Sequence, residues 1–85
     1  MFNGRQEKTI DIGSVLNKND AYLLYDKKQI APQIQVSFNG GEFFAVENEF
    51  VYDKEGEYGV KFKFETSQGE MEFYERLSVR VGEGI

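Results

Sequence analysis

The sequence predicts an all-β fold, a single antiparallel β-sandwich of about seven short strands. Apolar and polar residues alternate with a period of two through most of the C-terminal half, and no segment keeps the 3.6-residue period of an amphipathic helix. Turn signals separate the apolar runs at intervals of about 8–12 residues. Eight Phe and five Tyr in 85 residues suit pleated sheets, and their large side chains give a short chain a core. The length fits one domain, residues 1–85.

The N-terminal third carries the weakest strand signals. Residues 9–12 (Thr-Ile-Asp-Ile) predict a first strand, and residues 21–25 (Ala-Tyr-Leu-Leu-Tyr) predict a second strand between two polar segments. The intervening residues 14–19 are compatible with a single helical turn.

The middle of the chain contains a clearer strand and a strong turn. Residues 33–38 alternate Gln and Ser with Ile, Val and Phe, which predicts a half-buried strand. Asn39-Gly40-Gly41 follows, and both residue types tolerate left-handed backbone conformations, so a tight turn is expected. Residues 43–46 then predict a short edge strand, and residues 50–52 predict another strand.

The C-terminal half predicts a long hairpin. Apolar residues alternate with charged ones over residues 58–65, the turn sequence Thr-Ser-Gln-Gly follows, and a second strand is expected over residues 70–81. Glu75 falls in the apolar phase of that second strand. Either a bulge near Tyr74 and Glu75 or a solvent-exposed edge at that point would resolve the conflict.

One segment of this half, residues 50–64, resembles a known family. Its spacing is similar to the tyrosine-corner segment of polycystic-kidney-disease (PKD) type domains, roughly His-x-Tyr-x-x-x-Gly-x-Tyr-x-Val-x-hydrophobic-x-hydrophobic. Phe50 replaces the His, and the positions that match in register are Tyr52, Gly56, Tyr58, Val60, Phe62 and Phe64. Upstream, where the family carries Trp-Asp-Phe-Gly-Asp-Gly, this chain has Val-Ser-Phe-Asn-Gly-Gly, in which only Phe38 and Gly41 match. The resemblance is strongest over residues 33–81.

The resemblance implies an immunoglobulin-like sandwich that serves as a non-catalytic module for spacing, adhesion, or protein and carbohydrate contacts. The physics of the corner agrees with it independently. Gly56 lets the chain reverse between sheets, and Tyr58 then begins the next strand with its ring in the core. Its hydroxyl is expected to donate a hydrogen bond to upstream backbone and so to hold the crossover.

Composition excludes several function classes. The chain has no Cys, His or Trp, which removes disulfides, thiolate chemistry and the commonest general base and transition-metal ligand. The net charge of −5 has the wrong sign for sequence-independent nucleic-acid binding. No run of 18 apolar residues is present, so membrane insertion is not expected, and the polar N-terminal residues are not expected to form a signal peptide.

The acidic residues are the remaining candidates for chemistry. They concentrate in residues 42–85, which hold eleven acidic and five basic side chains. The pairs Glu47/Glu49 and Glu70/Glu72 resemble the paired carboxylates of glycosidases, but both lie in alternating polar stretches that imply no cleft. The carboxylate oxygens of Asp53, Glu55 and Glu57 are ligands that suit calcium, yet no Asp-x-Asp-x-Asp-Gly loop is present. We therefore predict no enzyme activity, no catalytic residues, no metal and no cofactor.

Aromatic residues beyond the needs of the core either cover an end of the sandwich or form a contact patch, and they are the predicted binding site. Phe43 and Phe44 are adjacent, so in a strand they point to opposite sides, and Tyr74 adds a third candidate. They suggest a structural or binding module that docks protein partners in a virion (a decoration or tail-associated protein) or a cell-surface assembly. A small acidic inhibitor of a partner with a basic groove, acting in the cytoplasm, and a carbohydrate-binding module remain alternatives.

Overall fold

The computed structural model describes residues 7–81, and this part of the chain is all-β. Strands account for 65% of it, arranged in several sheets with a single 3₁₀ turn. The strands are β1 (Glu7–Asp11), β2 (Val15–Asn17), β3 (Leu23–Tyr25), β4 (Lys28–Ile30), β5 (Gln33–Phe38), β6 (Phe44–Val46), β7 (Glu49–Val51), β8 (Gly56–Thr66) and β9 (Gly69–Arg80). No helix within residues 7–81 has the length and hydropathy that crossing a membrane requires.

The main sheet has five strands in the order β1-β9-β8-β5-β6. β1 runs parallel to β9, and the other neighbours are antiparallel. The β8–β9 hairpin keeps one unbroken register from Gly56 opposite Val79 to Thr66 opposite Gly69, so the strand has no bulge at Glu75. Glu75 instead stays 38% exposed on the apolar face, where its carboxylate accepts a hydrogen bond from Lys8 Nζ at 3.1 Å.

Two small sheets accompany the main sheet. β2 pairs with β7, and backbone bonds from Gly13 to Tyr52 (2.7 Å) and from Tyr52 to Ser14 (2.9 Å) extend that pairing. Leu16 and Phe50, which are partners in this pair, pack against the core. β3 and β4 form a separate hairpin.

The core lies on one face of the main sheet, which we call the inner face. Alternation places every second side chain of β5, β8 and β9 on this face. The buried hydrophobic residues on these strands are Ile34, Val36, Tyr58, Val60, Phe64, Leu77 and Val79, and Val46 of β6 and Tyr52 after β7 complete the core. The opposite, outer face carries most of the polar and charged residues of the same strands together with Tyr74.

Nine strands lie within residues 7–81, rather than the expected total of about seven. Residues 15–17 form β2 instead of a helical turn, and the 3₁₀ turn covers only Lys18–Asp20. The expected strand at residues 21–25 is present as β3, which pairs with β4 in a hairpin. Asp26 and Lys27 form the turn between them, and both adopt positive φ, at 54° and 66°. Asp-Lys lacks the glycine that usually marks such a turn, so the sequence did not indicate this hairpin.

Candidate functional site

The turn into β8 has the geometry of a tyrosine corner. Gly56 starts the strand at φ +154°, in a region that L side chains rarely adopt. Two residues later Tyr58 is buried, and its Oη donates a hydrogen bond to the carbonyl of Lys54 at 2.9 Å. This bond spans the crossover from β7 to β8 and joins it to the core.

An aromatic group surrounds this corner. The Tyr58 ring lies 4.9 Å from Phe38, 5.0 Å from Tyr52 and 6.0 Å from Phe50, between ring centroids, in tilted or edge-to-face arrangements. Burial raises the pKa of Tyr52 to about 12, and the nearby charge of Glu75 contributes. Burial also raises the pKa of Tyr58, with Asp53 adding to the effect. Both phenols are therefore neutral at physiological pH, and Tyr58 retains its donor proton.

Removing the corner hydroxyl should destabilise the fold. Tyr58→Phe leaves the ring but strips the Lys54 carbonyl of its partner, and we expect a loss of about 1–2 kcal/mol in the free energy of unfolding. Urea denaturation measures it. Tyr22→Phe is the matched control, because the Tyr22 side chain is exposed, and its stability should stay within about 0.5 kcal/mol of the wild type. Equal stability of the two variants would contradict the structural role of the corner.

The outer face of the main sheet carries a cluster of Phe43, Lys61 and Tyr74, which we call the outer-face cluster. The Phe43 and Tyr74 rings lie 6.3 Å apart at 69°, and Lys61 Nζ lies 4.1 Å from the Phe43 centroid. Lys61 and Tyr74 are direct partners across β8 and β9. Tyr74 remains 56% exposed. The cluster therefore places aromatic surface beside a cation that is 25% exposed and pairs with Glu72 at 3.6 Å.

Two small residues create the space in which Tyr74 lies. Ser37 and Gly59 are partners on the two central strands. A Cβ added at Gly59 would lie 2.6 Å from Tyr74 Oη and 3.0 Å from Ser37 Oγ, so the Tyr74 hydroxyl lies directly over the glycine. Tyr74 and the Ser37–Gly59 pair line a shallow depression of about 260 Å³ together with Arg76. The cross-strand placement of an aromatic over a glycine is a device that orders a sheet surface.

The structure divides the three predicted binding residues between two faces. Phe43 and Tyr74 meet on the outer face. Phe44 lies on the inner face, where its ring centroid is 5.6 Å from that of Phe50. Lys61 is not among the binding residues that the sequence pattern predicts. The hairpin register could have identified it, because the turn at residues 66–69 places Lys61 opposite Tyr74.

The carboxylates considered for catalysis or calcium lie apart or have other partners. Glu72 pairs with Lys61 at 3.6 Å. Glu57 accepts hydrogen bonds from Ser78 Oγ at 2.9 Å and from Arg80 at 3.2 Å, and Glu55 accepts one from the Val81 amide at 2.7 Å. Across residues 7–81, no three acidic side chains are grouped closely enough to hold a metal ion.

Comparison with known proteins gives no family assignment. No protein-family model matches the chain, and no curated protein or solved structure matches it significantly. Function is therefore inferred from the all-β fold and from the surfaces that it exposes.

Proposed function

We propose that this chain is a non-enzymatic structural or binding module with an immunoglobulin-like sandwich fold. Strand connectivity supports this proposal, because β5, β8 and β9 adjoin as strands C, F and G do in such domains, while β2 and β7 pair as strands B and E do. Tyr58 near the start of β8, bonded to Lys54 upstream, matches the tyrosine corner at the start of strand F. The PKD type within this class rests on the sequence pattern of residues 50–64.

The module acts by docking a protein partner on its outer face, and the outer-face cluster is the observation that carries this proposal. Exposed Tyr with an adjacent cation is typical of the residues that dominate protein interfaces, because an aromatic ring contributes large contact area at low entropic cost. Tyr74 lies over Gly59, which limits its freedom before binding. A ring ordered in this way loses less conformational entropy when a partner covers it.

Two observations favour docking through aromatic residues over the acidic-inhibitor and carbohydrate-binding alternatives. Outward-facing charges on β8 and β9 are balanced: the acidic residues are Glu57, Glu65, Glu70 and Glu72, and the basic residues are Lys61, Lys63, Arg76 and Arg80. This face therefore lacks the strong negative field that would suit a basic groove. The 69° angle between Phe43 and Tyr74 does not form the flat aromatic platform that a carbohydrate-binding module needs.

The partner belongs, in this proposal, to a virion or cell-surface assembly. Purification of the tagged chain from its native source, followed by mass spectrometry of co-purifying proteins, identifies it. Calorimetry with the purified partner then tests the site. We expect Phe43→Ser and Tyr74→Ser each to weaken binding about tenfold or more.

Leu24→Ser is the matched control, because Leu24 is 65% exposed and lies on β3, outside the outer-face cluster. Binding by this variant should equal that of the wild type. If the two outer-face variants also bind as the wild type does, the cluster is not the docking site. A loss of affinity by orders of magnitude at high salt would instead support the acidic-inhibitor alternative.

A further inference from the structure

β9 is much longer than the strand that covers its outer edge. β1 pairs only with Arg76–Arg80 of β9. Within residues 7–81, no strand lies beside the remaining part of that edge, residues 69–75, which we call the open edge. The pairing with β1 shows that this side of β9 accepts an added strand.

The backbone of the open edge is oriented for such pairing. Thr66 and Gly69 close the hairpin across a two-residue loop, which makes them a hydrogen-bonded pair. Hydrogen-bonded and non-hydrogen-bonded pairs alternate along the hairpin. The amides of Glu70, Glu72 and Tyr74 therefore point away from β8, toward the open edge.

The side chains along the open edge differ between the two faces. On the inner face, Met71 and Phe73 are 38% and 46% exposed. Phe73 also lines an apolar groove of about 340 Å³, whose other lining residues are Ala21, Tyr22, Leu23, Phe62 and Phe64. On the outer face, Glu70 and Glu72 are exposed, and Glu72, which is 47% exposed, also pairs with Lys61 at 3.6 Å. An added strand would therefore meet apolar side chains on one face and carboxylates on the other.

We propose that an extended segment of another protein, with alternating basic and apolar residues, adds to the open edge as a sixth strand of the main sheet. Its apolar side chains lie against Met71 and Phe73, and its basic side chains face Glu70 and Glu72. This inference rests on the proposed docking function and adds a second contact surface with a defined partner chemistry.

Charge distinguishes this partner from a second copy of the chain. Antiparallel pairing of two open edges about their centre places Glu72 opposite its own counterpart, or opposite Glu70. Like charges directly opposite each other destabilise a strand pair. Basic side chains at the same positions form favourable pairs with these carboxylates instead.

The test uses the full chain and the blocked peptide Val-Lys-Val-Arg-Val-Lys-Val, with a control peptide in which Glu replaces each basic residue. Amide hydrogen exchange is followed by NMR. We expect the basic peptide to slow exchange at Glu70, Glu72 and Tyr74 at least tenfold and the acidic peptide to have no effect. Exchange at Met71 and Phe73 should change little, because their amides already face β8.

Glu72→Pro removes one outward amide without removing a β8–β9 hydrogen bond, so peptide protection should be lost. Glu70→Lys tests the same edge without a backbone change and should weaken binding of the basic peptide at least tenfold. Undiminished protection by the basic peptide in both variants would overturn the proposal. Equal binding of the acidic peptide would overturn it too, and so would slow exchange at the Glu70, Glu72 and Tyr74 amides in the free protein. If Phe43→Ser abolishes partner binding but the peptide never protects the edge, this inference alone fails.

Discussion

Gly56→Ala is expected to lower the free energy of unfolding by about 3 kcal/mol. At φ +154°, an alanine costs about 1–3 kcal/mol in backbone strain alone. Its Cβ would also lie 2.6 Å from Phe38 Cε1 and 2.9 Å from Asn39 Oδ1. Two hydrogen bonds to Glu57 hold Asn39 there. The backbone N–H of Asn39 donates to the Glu57 carbonyl at 2.7 Å, and Asn39 Oδ1 accepts a bond from the backbone N–H of Glu57 at 3.0 Å. Relief of the clash must disturb these bonds or the Phe38 ring, which adds a packing cost of about 1–3 kcal/mol.

Gly69→Ala separates the two contributions. Gly69 also has positive φ, at +122°, but a Cβ there meets no atom within 4 Å. Chemical denaturation of both variants should show a loss of about 1–2 kcal/mol for Gly69→Ala and a clearly larger loss for Gly56→Ala. If the two losses are equal, the close packing of Phe38 and Asn39 against Gly56 contributes nothing, and strain alone explains this glycine.

The features that sequence could predict are local ones. The Tyr58-to-Lys54 bond joins residues four apart, and Gly56 lies between them, so a spacing of residue types is enough to suggest a corner. The same holds for the β8–β9 hairpin, because a two-residue turn and the alternation of apolar and polar residues together specify the register. These predictions depend on few residues that are close along the chain.

Features that depend on tertiary structure could not be predicted. The contact of Phe43 with Tyr74 requires the order β9-β8-β5-β6, because Phe43 precedes β6 and Tyr74 lies on β9. The pairing of β2 with β7 likewise joins segments more than 30 residues apart. Three-residue strands carry almost no periodic signal, so their existence depends on their partners.

The distribution of charge, too, could be predicted from the sequence only in part. The sequence locates the acidity in residues 42–85, but only the strand register shows that it is balanced on the outer face of β8 and β9. Excess negative charge lies in residues 42–55, which carry Glu42, Glu47, Glu49, Asp53 and Glu55 against Lys54. The acidity therefore belongs mainly to the connections around β6 and β7, away from the outer-face cluster.

Phe50→Ala is expected to lower the free energy of unfolding by about 3 kcal/mol, chiefly by loosening the β2–β7 sheet. Phe50 is the aromatic residue of β7 that meets the main sheet, with ring centroids 5.6 Å from Phe44 and 6.0 Å from Tyr58. Its neighbour Tyr52 lies 5.1 Å away, edge-to-face. Truncation of a large aromatic side chain at such a junction removes buried apolar surface and leaves a cavity, which typically costs about 3–5 kcal/mol. Because Phe50 is only partly buried, we expect a loss at the lower end of this range.

Val51→Ala is the matched control on the same strand, because Val51 is exposed and its loss should cost under about 1 kcal/mol. Two three-residue strands are not stable alone, so the β2–β7 sheet depends on packing through Phe50 and Leu16. Hydrogen exchange should therefore show the Tyr52 amide, bonded to Ser14, losing protection in Phe50→Ala before the β8–β9 hairpin does. Simultaneous loss of protection in both sheets would mean that the molecule unfolds as one cooperative unit, and that Phe50 stabilises the whole domain rather than one sheet.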